Sequence, residues 1–242
     1  MNYLKHATLM TIAALSSVAL LTSCETSEDR QLAAAQDCID TAKVAADADR
    51  CHALVDGLET EKAYLIRCSA NYIAQGFTGE RMANAFQRLK DDNGSGQDPM
   101  ATVMAYLVFS NSTGTHSVDN AVSNCTKSGV RSMLRLVTMS KLATFITSAG
   151  LGGIPANANP LDPSFDPSQI SNAITTIVGS GTPADKENIG NIAITAQAAY
   201  CNAGSSFENN EICTNLNQAI SSGGGNAQTI GEQLLALLQA NN

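Results

Sequence analysis

Tryptophan is absent from this chain of 242 residues, and the aromatic rings are limited to 5 Tyr and 6 Phe. Sites for methylated ammonium groups, and many sugar sites, stack their ligands on aromatic faces, so the composition disfavours both. Basic residues are also scarce: 14 Lys and Arg stand against 22 Asp and Glu, a net charge of −8. Nucleic acids demand clustered Lys and Arg for their phosphates, which excludes nucleic acid as an expected partner. The same deficit argues against a broad binding face for anionic membranes, and the simplest use of the negative charge is solubility. Histidine occurs three times, and no C-x-x-C spacing is present. A structural zinc site needs four clustered ligands, mostly Cys and His. Cys51 and His52 are adjacent and would leave a helix about 100° apart, so no metal is expected. Asp91 to Gln97 reads D-D-N-G-S-G-Q. It lacks the alternating ligands and closing Glu of a calcium loop and reads as a plain loop. The Gly run between Ser221 and Asn226 lacks the Lys-Ser/Thr of a phosphate loop. No cofactor is expected.

A membrane-spanning run is missing as well. The apolar stretch Ala7 to Leu21 falls short of the roughly 20 residues a helical span requires. It follows Lys5 and His6, and a short basic start before a brief apolar core has the shape of a secretion signal. The stretch ends in Leu21-Thr22-Ser23-Cys24. Leu, two small residues and Cys resemble the lipobox of bacterial lipoproteins. The resemblance implies a signal peptide over 1–23, cleavage before Cys24, and lipid on the Cys24 thiol and its new amine, palmitate among the acyl chains. A single acyl chain binds membranes only marginally; a triacylated cysteine anchors stably without a transmembrane helix. Glu25, where Asp would favour inner-membrane retention, points by the same resemblance to the outer membrane. The expected location is the cell envelope, facing the periplasm, and the match ends at residue 24.

Of the seven cysteines, Cys24 is committed to lipid on this reading. Cys38, Cys51, Cys68, Cys125, Cys201 and Cys213 remain, and an even set in an exported chain reads as disulfides. Cys201 and Cys213 straddle a break near Gly204-Ser205-Ser206, which would let antiparallel helices face them toward each other. Cys51 and Cys68 are nearly symmetric about Gly57-Leu58-Glu59. The expected pairs are therefore 201 with 213 and 51 with 68, leaving 38 with 125 by elimination.

Residues 24–30 are polar and read as a tether. A helical region over 31–148 follows. Leu32, Ala35, Ile39, Ala42 and Ala46 recur at spacings of three and four, Asp49 is placed to cap a second helix, and Thr60 a third. Residues 80–90 show helical spacing. Met100 to Phe109 is apolar enough for a core helix, and 117–128 and 131–148 give two more, broken at Gly129. Residues 149–167 hold three Gly and four Pro and read as a linker or long loop. The C-terminal helices of 168–242 are expected to pack on the same domain. They comprise one after Ser168 or Asp166, a long one from Pro183, one over 208–221 and a last one through Ile230, Leu234, Leu237 and Leu238. The expectation is all-α, with about ten helices in antiparallel hairpins. Leu65, Cys68, Ser69 and Tyr72 resemble the large, large, small, aromatic positions in the first helix of a tetratricopeptide unit. This resemblance implies stacked helix pairs with a concave face, although Arg81 departs from the second helix's pattern and no 34-residue period appears elsewhere.

For function, the sequence points to a lipid-anchored helical module that binds a protein partner in the envelope. A carrier for a small apolar ligand, lined by Met100, Met104, Met133 and Met139, is the alternative. An enzyme is not expected. Only His52 and His116 could be histidine bases in the mature chain, and no G-x-S-x-G accompanies them. His116 sits in a loop, where such a residue would be freer to act. Glu59 and Glu61 read as charge at a helix start.

Overall fold

A computed structural model describes residues 26–77, 99–110, 114–160, 162, 164–201 and 211–240. Cys24 and its lipobox, the 80–90 helix and the Asp91 to Gln97 loop lie outside them. The described residues form ten α-helices and no strand. These are α1 (Ser27–Thr41), α2 (Ala45–Ala53), α3 (Glu61–Ala74), α4 (Pro99–Ala105), α5 (Val118–Lys127), α6 (Arg131–Leu151), α7 (Ser168–Ser180), α8 (Pro183–Tyr200), α9 (Glu211–Gly223) and α10 (Ala227–Ala240). The all-α class expected from the sequence is the class observed. Consecutive helices pack as pairs: α2 on α3, α6 on α7 and α9 on α10. The largest interface joins α8 to α10.

Local chemistry sets the boundaries. Residues 27–30, expected to belong to a tether, are instead the first turn of α1. Thr26 Oγ1 accepts from Asp29 N at 3.0 Å, and Asp29 Oδ2 accepts from Thr26 N at 3.2 Å, a reciprocal capping box that starts the helix early. The helix expected to run to Ala46 stops at Thr41. Asp47 reaches back to accept from Lys43 N and Val44 N at 2.9 and 3.2 Å, so Asp47, not Asp49, holds the start of α2. Thr60 caps α3 as expected, its hydroxyl accepting from Ala63 N at 3.3 Å. Between α2 and α3, buried Arg67 donates to Val55 O at 2.6 Å and lies over the Tyr64 ring, tying the turn to α3. The expected core helix from Met100 to Phe109 ends at Ala105. Beyond it, side chains of other helices replace the helical ladder: Phe109 N donates to Thr144 Oγ1 at 2.9 Å and Ser110 N to Gln75 Oε1 at 2.8 Å. Within 149–167, α6 runs on to Leu151, Gly152 closes it at φ 69°, and a short 3-10 turn spans Ala156–Ala158.

The main core draws on α4, α6, α7, α8, α9 and α10, with Met104, Met139, Leu142, Ile146, Ile174, Ile189, Leu216 and Leu234 essentially inaccessible. The helices of 168–242 therefore share one core with α4 and α6. A second cluster joins α3, α5 and α6 through Cys68, Tyr72, Phe109, Val118, Ala121, Cys125 and Val137. Tyr72 is held there by Ser140 Oγ at 3.2 Å from its hydroxyl, and burial pushes its phenol well above the usual range. Of the tetratricopeptide-like positions, Cys68 and Tyr72 are buried while Leu65 and Ser69 are half-buried.

Three disulfides brace this arrangement. Cys201–Cys213 forms as expected, with Cα atoms 5.6 Å apart. The other two pairings differ from expectation: the bonds are Cys38–Cys51, Cα atoms 5.4 Å apart, and Cys68–Cys125, 4.9 Å apart. Symmetry about a turn mispaired Cys51: Ala48, three residues before it, packs against Ile39 and Ala42 near α1 as well as Ala70 and Ile73 of α3, and Cys51 meets Cys38 of α1. Cys68 points instead into the second cluster, where α5 brings Cys125 across a chain separation of 57 residues. Three disulfides indicate an oxidising, extracytoplasmic compartment.

Candidate functional site

α5, α6 and α8 enclose an open cleft of about 430 Å³, at the lower end of small-ligand pockets. Each wall is one helix face. α5 contributes Val118, Asp119 and Val122; α6 contributes Thr138, Lys141, Thr144, Phe145 and Ser148; α8 contributes Asn188, Asn191, Ile192 and Thr195. These spacings of three and four keep the side chains on one side of each helix. Ser117 starts α5 by accepting from Asn120 N at 3.3 Å, and the Cys68–Cys125 bond fixes α5 to α3. On α8, Thr182 and Asp185 form a capping box ahead of Pro183.

The floor is apolar and buried at Val118 and Ile192, with Val122 and Phe145 half-buried beside it. The buried hydroxyls of the α6 wall serve the fold: Thr138 Oγ1 donates to Arg135 O, and Thr144 Oγ1 accepts from Phe109 N. Asn188, Asn191 and Thr195 form an exposed rim. Thr195 Oγ1 donates to Asn191 O at 3.0 Å, while the side-chain amides of Asn188 and Asn191 make no hydrogen bond among the described residues. Lys141 and Asp119, 35% and 71% exposed, pair at 3.0 Å. These are the cleft's two charged side chains, and they neutralise each other.

The two histidines singled out by sequence lie elsewhere, and together. His116 joins the 114–117 loop to α2 and α3, with Nε2 at 2.9 Å from Asp49 Oδ1 and Nδ1 at 2.8 Å from Asn71 Oδ1. Asp49, expected to be a cap, is thus a partner of His116. His52 meets the His116 ring edge-on at 5.8 Å, and its Nδ1 is 3.7 Å from Asp56 Oδ1. Burial, then the neighbouring His116 and Arg67, hold the His52 pKa below the ordinary imidazole value. A triad-type base needs one ring nitrogen on its nucleophile. Both His116 nitrogens are occupied, by a carboxylate and an amide, so the geometry describes a brace between elements. No group of three or more His, Cys, Asp or Glu among the described residues could hold a metal ion. Of the methionines, Met104 and Met139 are core residues, Met133 packs against the second cluster, and none lines the cleft. The side chain of Met100 lies outside the described residues.

Sequence reasoning missed the cleft. Its residues come from three separate segments, and each segment alone reads as the ordinary polar face of a helix. The one available signal was the concentration of hydroxyl and amide side chains on α6 and α8. The chain matches no protein-family model, no curated protein and no solved structure.

Proposed function

We propose that this chain is a bacterial envelope lipoprotein, lipidated on Cys24, whose helical part binds a protein partner at the membrane surface. The observation that carries the binding reading is the open cleft between α5, α6 and α8, with rim amides free of partners among the described residues. The compartment is supported by the three disulfides, and the anchor by Leu21-Thr22-Ser23-Cys24 ahead of the helical part. No helix among the described residues is long and apolar enough to cross a membrane. Glu25 favours the outer membrane over the inner. The alternative, a carrier for a small apolar ligand, gains little from the methionines, because Met104 and Met139 are packed into the core.

The test is made in cells. Metabolic palmitate labelling is expected on the wild-type chain and absent from Cys24→Ala. A photo-crosslinking residue at Asn191 is expected to capture a discrete envelope protein, and one at exposed Thr175 on α7 is not. Unchanged labelling in Cys24→Ala would remove the anchor, and identical crosslinks from both positions would remove the cleft as the contact face.

A further inference from the structure

We infer that the cleft takes a short, uncharged, extended peptide segment with an apolar side chain at its centre. This rests on the binding reading above and names the chemistry of its occupant. The rim residues Asn188, Asn191 and Thr195 lie along one side of α8. Seven residues of helix rise about 10 Å, the length of about three extended residues at roughly 3.3 Å each. Each Asn amide offers a donor and an acceptor, the complement of one main-chain N–H and C=O pair, and neither is used among the described residues. Beside this row Ile192 of α8, and on the facing helices Val118, Val122 and Phe145, provide apolar surface for one side chain. An extended segment that gains affinity from main-chain hydrogen bonds and specificity from a side-chain pocket is an established recognition mode.

The cleft offers an ionic occupant no uncompensated charge, because Lys141 and Asp119 pair at 3.0 Å. The single half-buried ring of Phe145 is a poor platform for a sugar, and a lipid tail would use the apolar surface alone and leave the exposed amides to water.

The experiment is equilibrium dialysis of tritiated acetyl-Ala-Leu-Ala-amide against the full, oxidised chain in nanodiscs, with protein-free nanodiscs correcting for lipid partition. Saturable binding at one site per chain is expected. The double variant Asn188→Ala/Asn191→Ala removes two partners and should weaken binding about fivefold, the equivalent of about 1 kcal/mol. Thr195→Lys, also on the exposed rim, should abolish binding, and Thr175→Ala on α7 should leave it unchanged. Non-saturable binding, equal binding by wild type and both rim variants, or displacement by sucrose would overturn the inference. Crosslinks from Asn191 in cells without peptide retention would remove the peptide class and leave the partner reading standing. Peptide retention without those crosslinks would do the reverse.

Discussion

Replacing Gly190 by Ala should destabilise the chain severely, because α8 and α10 touch backbone to backbone there. A Cβ built on Gly190 would lie 1.8 Å from Ala227 O, and one on Gly231 would lie 1.9 Å from Lys186 O. A carbon meets a carbonyl oxygen comfortably at about 3.3 Å, so either methyl forces the helices about 1.5 Å apart. The obstacle is main chain on both sides, and no side chain can rotate away. Such a separation opens the core where Ile189, Ala193, Ile230, Leu234 and Leu235 are buried. Overpacking costs typically 1–3 kcal/mol and occasionally more, and the fixed backbone places this case at the upper end. The gain in helix propensity from Gly to Ala returns about 1 kcal/mol, leaving a net loss of about 2 kcal/mol for either variant. Once the first methyl has parted the helices the second costs little, so the double variant should lose much less than the sum. The control is Gly179→Ala in α7, where a Cβ meets nothing within 4 Å, and stability should rise by up to about 1 kcal/mol. Urea unfolding of the oxidised chains measures all four. A neutral or stabilising Gly190→Ala, or strictly additive losses, would refute the close crossing.

Two further outcomes follow from the bonds and the charges. The Cys68–Cys125 bond closes a span of 57 residues against 12 for Cys201–Cys213. On loop-closure entropy its removal by paired Ala substitution should cost about 4 kcal/mol, against about 3 for the shorter loop, and a reversed order of urea midpoints would contradict the pairing. Stability should also fall with pH in two steps. His52 has a lowered pKa, so its contribution is complete above its ordinary value of 6.5 and is lost as the unfolded state takes up a proton below it. Asp49 and Asp56 oppose the effect but do not reverse it. Asp29, Asp47, Asp162 and Asp166 are lowered by hydrogen bonds from the Thr26, Lys43, Ser164 and Ser168 positions, so their contribution is present above 3.8 and lost below it. His52→Gln should abolish the step that begins as pH falls below 6.5 and keep the one below 3.8; a surviving upper step would reassign it.

Helix existence was legible in the sequence wherever an apolar face repeated over several turns, as in α6 with Val137, Leu142 and Ile146. Caps were legible where the acceptor preceded its helix, as at Thr60. Two failures were local: the Thr26–Asp29 capping box lies inside the expected tether, and Asp47 takes the place expected of Asp49. The others share one cause, namely partners distant in sequence. Phe109 leaves the helical ladder because Thr144 offers its backbone N–H another acceptor, and nothing near residue 109 announces this. Cys68 finds Cys125 because α5 returns to α3 after a long excursion. The Gly190–Gly231 crossing was equally hidden, since each glycine alone only weakens its helix, and the pair has meaning once α8 lies on α10. The cleft belongs to the same group.

The early start of α1 alters what the proposed anchor can do. A tether over 24–30 would let the helical part swing freely over the membrane. With α1 beginning at Ser27, only Glu25 and Thr26 separate it from Cys24, a reach of about 7 Å. α1 packs lightly: Ala35 and Cys38, both small, are its buried residues, and Leu32 and Ile39 are half-buried against Val55, Ala63 and Ile66, so its burial is modest by area. The Cys38–Cys51 bond adds a covalent fastening between α1 and the remainder, worth about 3 kcal/mol for its 13-residue separation. Cys38→Ala/Cys51→Ala should release α1 locally while leaving the main core folded. The readout is limited trypsin digestion, with cleavage at Lys43, between α1 and α2, accelerated about a hundredfold at unchanged urea midpoint for the core. If Lys43 stays protected, α1 is held by packing, and the disulfide is not the joint between lipid and fold.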